Sequence, residues 1–454
     1  MTIQRLDKFI KLRSEHQTFF FENYTIFNQP SDFKVVYNFR IDNSIEFHPE
    51  FSIPKKDFYH FENLNEAEIE TLVFHIGMVE LISYWKCCCP KDLVIKPFSL
   101  TKTQKIFWKK LYFNGLGEFF YTNGIEADYE TFLNIHCQTD KEFTKVEFEF
   151  DDGTIIPVGG GKDSVVSLEL LKSEKMHNLA LIMNPRGASK STASIGGYAD
   201  NLIEIQRKID KNLLELNARG YLNGHTPFSA LLAFFTLLAA KISHKKFIAL
   251  SNESSANEPT IPNTNVNHQY SKSLEFEDDF RTYVSENINS EVQYFSLLRP
   301  LSELQIAALF SKNQVYFDDF KSCNAGSKED IWCGKCSKCL FAFIILSPFI
   351  QREKMEEIFA KNMLDDKNML QYFNELTGIA DEKPFECVGT VDEVNQALDL
   401  ILKNYNQHNL PFLLQYYKDH KKIKTSKPDL KSLEIKHFLN KKYFNLVKSA
   451  VESL

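Results

Sequence analysis

Residues 159–164, Gly-Gly-Gly-Lys-Asp-Ser, are the stretch of this chain whose types and spacing most plainly do chemistry. They follow a largely β-branched run at 154–158 and precede an apolar pattern of helical period. That order predicts a strand, a tight loop and a helix N-terminus, where bare backbone N–H groups and the helix dipole bind an anion. Gly159, Gly160 and Gly161 permit positive φ and leave no Cβ between backbone and phosphate. Lys162 follows them, the Asp163 carboxylate could hold magnesium, and the Ser164 hydroxyl could donate to a phosphate oxygen. The stretch reads as a nucleotide loop.

Four cysteines make a second constellation. Cys323, Cys333, Cys336 and Cys339 are spaced Cys-x9-Cys-x2-Cys-x2-Cys, with Gly334 in the first short knuckle. Short spacings turn neighbouring thiolates toward one ion, and four of them close a tetrahedral zinc site that is structural rather than catalytic. A third set is polar: 250–258, Leu-Ser-Asn-Glu-Ser-Ser-Ala-Asn-Glu, and 266–273, Val-Asn-His-Gln-Tyr-Ser-Lys-Ser, with Glu275. Lys272 could meet a carboxylate or phosphate, Glu253 or Glu258 could bind magnesium or act as a base, and His268 could move a proton near neutral pH. For Asn252, Asn257 and Gln269, loop-capping bonds and ligand contacts are both open.

Spacing decides which nucleotide loop this is. A Walker A loop needs Gly-x4-Gly-Lys-Ser/Thr, and Lys162 is followed by Asp163; residues 187–191, Gly-Ala-Ser-Lys-Ser, lack the glycine before the lysine. Position 164 excludes a Gly-x-Gly-x-x-Gly fingerprint. The loop resembles the Ser-Gly-Gly-x-Asp-Ser loop of the PP-loop ATP pyrophosphatases, with Gly159 in place of the first serine. That resemblance implies ATP cut between its α and β phosphates, substrate adenylation, and adenine near Asn184. Loop and cysteine knuckle together are similar to the 7-cyano-7-deazaguanine synthases.

A wider resemblance is to the ATP-dependent UDP-N-acetyl-α-D-muramoyl-L-alanyl-L-glutamate epimerases of bacterial cell-wall synthesis. It rests on the glycine loop, the 251–258 and 267–273 segments, Trp332-Cys-Gly-Lys-Cys-Ser-Lys-Cys339, and 384–390, Pro-Phe-Glu-Cys-Val-Gly-Thr. It implies ATP, Mg2+ and a structural Zn2+, and conversion of a terminal L-Glu to D-Glu on a UDP-MurNAc-dipeptide. The α-proton beside an ionised carboxylate is very weakly acidic; adenylation removes that charge and turns the carbanion into a stabilised enolate. Cys387, ahead of a helix N-terminus, is one candidate for the base; His268 and Lys272 are the others. The runner-up is an amide- or nitrile-forming PP-loop synthetase, in which an amine or ammonia captures the adenylate. A nucleic-acid-binding reading rests on the lysine-rich 418–442 segment, which is better read as a solvated helical tail.

Positioning these groups takes 454 residues, enough for two or three domains, with 43% hydrophobic and 25% charged residues of globular type. A net charge of −7 argues against wholesale phosphate neutralisation. Residues 1–7 show no signal-peptide core, the apolar run at 228–240 is too short to span a bilayer, and nine cysteines without a signal mean thiols or metal ligands. A cytoplasmic protein is expected.

The pattern predicts an N-terminal α+β accessory or substrate domain (1–150), an α/β domain with a parallel sheet covered on both faces (151–350), and a mainly helical region (351–454). In the first, a helix starts at Asn65-Glu-Ala-Glu68 and runs to about 86, followed by three cysteines (87–89) read as packing. Residues 145–150 read as a strand and 151–153 as a turn, strands are expected at 179–183 and 247–250, and helices at 201–217 and 228–242. Thr390-Val-Asp-Glu393 is a capping box opening a helix.

Overall fold

In the computed structural model, residues 2–42, 45–61, 64–405, 409–421 and 424–454 are described. They form two units, one of residues 1–155, 203–248 and 266–293, the other of 156–202, 249–265 and 294–454.

The strands are Thr18–Asn28 (β1), Asp32–Ile41 (β2), Ile45–Phe47 (β3), Glu50–Pro54 (β4), Asp92–Ile95 (β5) and Asn134–Cys137 (β6). They continue with Asp151–Pro157 (β7), Leu179–Met183 (β8), Leu202–Lys208 (β9), Lys245–Leu250 (β10) and Gln293–Ser296 (β11). In the first unit the order is β9-β4-β2-β1-β5-β6, with β3 beside β2. Here β1, β3 and β4 pair antiparallel with β2, β9 antiparallel with β4, and β5 runs parallel to β1 and β6.

Alternation builds this sheet. In β2 every second residue (Phe33, Val35, Tyr37, Phe39, Ile41) is buried. Of these, Tyr37 meets the helix Glu66–Glu80, its hydroxyl donating to Val73 O at 2.8 Å, and a Cβ on Gly77 of that helix would lie 2.7 Å from ring atoms of Tyr37 and of Phe21 in β1. The helix Phe228–Ser243, buried from Ala230 onward except for the half-exposed Leu232, packs on that helix; its Lys241 is neutralised by Glu68 at 2.9 Å. Cys87, Cys88 and Cys89 are wholly buried free thiols, as packing requires.

Three expectations fail locally. Residues 145–150 are irregular: their backbone is satisfied by Val146 N–H to Ile288 O (2.9 Å) and Glu147 N–H to the Glu68 carboxylate (2.7 Å), with no strand ladder. Residues 151–153 open β7 instead of turning, because Asp151 finds a partner in Lys245 of the parallel neighbour β10. Residues 201–217 are not one helix. Leu202, Ile203 and Ile205 are buried along β9, and Asp210, accepting from Asn212 N–H at 2.7 Å, starts a separate helix Lys211–Ala218.

The other strands have the order β11-β10-β7-β8, with the C-terminal ends of β7 and β10 (156–157 and 249–250) in the second unit. Around these strands lie the helices Lys162–Leu170, Gly187–Ile195, Glu303–Ser311 and Ser337–Leu346, the last buried along its length except Lys338. From 350 onward the unit is mostly helical, with Arg352–Phe359, Leu370–Thr377, Val391–Asn404, Phe412–His420 and Lys441–Glu452. The 418–442 segment is not a helical tail. Residues 424–440 hold neither helix nor strand and are pinned by Glu434 N–H to Pro300 O (2.9 Å) and Gln305 to Ser432 O (2.7 Å); 422–423 lie outside the described residues. Among the described residues no helix is long and apolar enough to cross a membrane.

Candidate active site and metal centre

Three chain segments leave the C-terminal ends of strands in the second unit, the edge where α/β sheets present ligands. They are Gly159–Gly161 after β7, Asn184 after β8, and Ser251–Glu253 after β10. Gly160 has φ +89°, and a Cβ there would sit 2.8 Å from the backbone of Ala188 and Ser189, so only glycine fits. Gly161 is the N-cap of the Lys162–Leu170 helix and offers no side-chain cap, leaving first-turn N–H groups to a ligand or water. Ser164 braces the loop: its hydroxyl donates to Gly161 O at 2.9 Å and accepts from Gly160 N–H at 3.2 Å. Lys321 N–H bonds Gly160 O at 2.8 Å from the other side. Asn184 takes φ +47°, a left-handed turn that asparagine tolerates.

Lys162 points inward. Its ammonium pairs with Asp163 at 2.5 Å and with Glu303 on the first turn of the Glu303–Ser311 helix. Glu303 N–H donates to Glu393 Oε1 at 2.8 Å, while Glu393 Oε2 accepts from Thr390 N–H (2.8 Å) and hydroxyl (2.9 Å) in the capping box expected from the sequence. Glu253, buried, accepts from Ser255 at 3.2 Å and receives Arg299 at its carbonyl at 2.5 Å; Asn252 donates to Ser296 at 3.1 Å. Burial draws the Lys162 ammonium down, but Asp163 and Glu303 outweigh it and hold its pKa above the usual range. Burial also pushes Glu303 up to about 8; Lys162 opposes this, while Asp163, Glu253 and Glu393 add to it. One ammonium thus faces more carboxylate charge than it balances.

This has a pH consequence. Glu303 holds its proton more tightly folded (about 8) than unfolded (4.5), so its contribution is full below 4.5 and lost as pH rises through about 8. Lys162 loses its own contribution only above 10.5, outside that window. Glu303→Gln is therefore expected to flatten the decline in melting temperature across this range; equal slopes in both proteins would contradict the assignment.

Cys387 lies in the 384–390 loop, its carbonyl held by the Lys338 ammonium, three residues ahead of the Thr390 N-cap. Glu258 is paired with Lys383. The four cysteines converge: Sγ–Sγ distances are 3.7 Å (Cys323–Cys336), 3.7 Å (Cys333–Cys339) and 3.5 Å (Cys336–Cys339). A tetrahedral ion with ~2.3 Å metal–sulfur bonds sets sulfurs about 3.8 Å apart, so the thiols fit zinc. Gly334 at φ +63° makes the knuckle, and Cys336 is the N-cap of the buried helix Ser337–Leu346.

His268 and Lys272 belong to the first unit. His268 Nδ1 meets the Glu118 carboxylate, and His225 Nδ1 lies 3.4 Å from the same oxygen. Burial, then His268, Lys86 and Lys272, lower His225 to about 3, and burial lowers Lys86 to about 8. By sequence alone, Glu118, His225, Glu303 and Glu393 are assigned to neither cluster. Only the Ser302-Glu-Leu-Gln305 and Thr390-Val-Asp-Glu393 capping boxes signalled two of them, and those signals speak of helix starts.

A model of the MurL N-terminal domain matches residues 11–297, and one of the MurL C-terminal domain matches 319–431. The chain belongs to the MurL family. Three relatives, each called UDP-N-acetyl-alpha-D-muramoyl-L-alanyl-L-glutamate epimerase, bear on it. The Micromonospora sp. protein is 34% identical over 345 residues (74% of this chain, 76% of that protein). The Xanthomonas oryzae pv. oryzae protein is 32% identical over 345 residues (74% and 76%), and the Salinispora tropica protein 35% over 327 (70% and 70%). The MurL N-terminal match takes in the glycine loop, Glu253, His268 and Lys272, and the C-terminal match the four cysteines, Cys387 and Glu393. No solved structure matches the chain.

Proposed function

We propose that this protein is an ATP-dependent epimerase of peptidoglycan precursor synthesis, inverting the terminal L-Glu of UDP-MurNAc-L-Ala-L-Glu in the cytoplasm. The observation that carries the reading is the uncapped helix start at Gly161 beside the Lys162–Asp163–Glu303 cluster. The names of the three relatives supply the substrate. The glycine loop receives the β and γ phosphates of ATP on backbone N–H groups, with Lys162 and Ser164 fixing its shape, and Asn184 and Asn252 border the nucleotide. The glutamate α-carboxylate oxygen attacks the α-phosphorus and takes the adenylyl group, and pyrophosphate leaves through charge stabilisation by the loop.

Mg2+ fits the excess of carboxylate oxygens at Asp163, Glu253 and Glu303, a hard-oxygen donor set, and when bound would offset phosphate charge. The adenylate acidifies the α-proton; a base among Cys387, His268 and Lys272 removes it. Reprotonation on the opposite face and hydrolysis of the adenylate give D-Glu and AMP. Incubating the protein with UDP-MurNAc-L-Ala-L-Glu, ATP and Mg2+, then hydrolysing the peptide, should release D-Glu together with AMP and pyrophosphate. Recovery of L-Glu alone with ATP intact would refute the reading.

A further inference from the structure

We propose that Glu118, His225 and His268 form a second metal site, for a divalent first-row transition ion of the zinc class. The three residues come from separate parts of the first unit. Glu118 opens the Gly117–Thr122 helix, His225 follows Gly224, and His268 precedes the short 3-10 turn Tyr270–Lys272. Their donor atoms all lie within 4.8 Å of one another. Both Nδ1 atoms are aimed at one oxygen, Glu118 Oε2, that of His225 at 3.4 Å, and the rings are 4.5 Å apart and inclined by 48°.

Donors bound at ~2.0–2.1 Å to a tetrahedral ion stand about 3.3 Å apart, close to the His225–Glu118 separation; His268 touches the same oxygen directly, so ligation requires that contact to open. The side chains are only 12–20% exposed. A carboxylate with two imidazoles converging on it is a donor set that one transition ion accepts together. Two imidazoles and a carboxylate suit zinc, iron or nickel and are poor in the oxygens that magnesium and calcium require. Three protein ligands leave a coordination position for water or a substrate group, unlike the closed four-thiolate site.

Lys86, whose ammonium is bonded to Gly224 O, and Lys272 both oppose positive charge at His225. Their repulsion sets the affinity below that of the thiolate site, so a chelator should empty this site first. Ligation through His268 would leave Lys272 and Cys387 as the bases to test.

The readout is bound metal, so it stands apart from the epimerase reading. Reduced full-length protein, stripped with a mild chelator, is titrated with Zn2+ and in parallel with Co2+, and bound metal is counted by mass spectrometry. Wild type is expected to hold about two ions per chain, and His225→Ala and His268→Ala about one. Affinity at this site should fall at least about a hundredfold, since even outer-sphere changes reach that size. Glu118→Gln, which keeps volume and hydrogen bonding, provides a folded control with the same loss. Cys336→Ser should remove the other ion alone. A wild type that binds only the ion lost in Cys336→Ser would overturn the proposal, as would a second ion retained by all three variants.

Discussion

Asp163→Ala should abolish release of pyrophosphate from ATP, by more than about a thousandfold, in a protein that remains folded. The carboxylate is a third exposed, on the first turn of the Lys162–Leu170 helix, after a loop whose shape is set by Gly160, Gly161 and the Ser164 hydroxyl rather than by Asp163 packing. Lys162 keeps Glu303 as its partner, so the variant leaves the ammonium paired and costs about 1 kcal/mol. Ser164→Ala should lose turnover too, with a similar loss of stability from the severed brace between Gly160 and Gly161. Undiminished conversion of ATP to AMP in Asp163→Ala would show that this loop is not the catalytic cradle.

Removing the four-cysteine metal should act on stability before chemistry. Cys336 both joins the cluster and starts the helix Ser337–Leu346, whose apolar residues are core to the second unit. Structural zinc supplies on the order of 10 kcal/mol in small domains. Even about 3 kcal/mol expressed here would lower the melting temperature by roughly 5–10 °C. Chelation or Cys336→Ser should produce that drop while adenylation by protein still folded is unchanged. Purified protein without zinc, its four thiols freely titratable, would contradict the site.

Local signals were legible wherever they acted locally. β8 at 179–183, the buried helix after Pro227, the cap at Asn65 and the capping box at Thr390 stand where composition and periodicity put them. The cysteine spacing also held, because short knuckles are fixed by the chain itself. Tertiary partners decided the rest. β9 carries apolar residues that also fit a helical period, and the open edge of β4, pairing Phe51 with Arg207, selects the strand. Residues 145–150 alternate as a strand should, yet no strand lies alongside to complete a ladder. Glu118 and His268 stand 150 positions apart, and no spacing rule joins them. Glu303 and Glu393 read as helix-start residues, and only the fold puts Glu303 on Lys162 and Glu393 on the Glu303 N–H.

The central claim is that ATP is used to acidify the glutamate α-proton, and isotope exchange tests it most directly. The protein is turned over on UDP-MurNAc-L-Ala-L-Glu in deuterium oxide, with and without ATP and Mg2+, and the recovered glutamate is analysed by mass spectrometry and NMR. Deuterium should appear on the α-carbon only when ATP and Mg2+ are both present. A variant lacking the true base, among Cys387, His268 and Lys272, should still release pyrophosphate yet lose exchange. D-Glu formed without α-deuterium, epimerisation without ATP, or AMP appearing with an amine acceptor while the α-hydrogen stays in place would contradict the account.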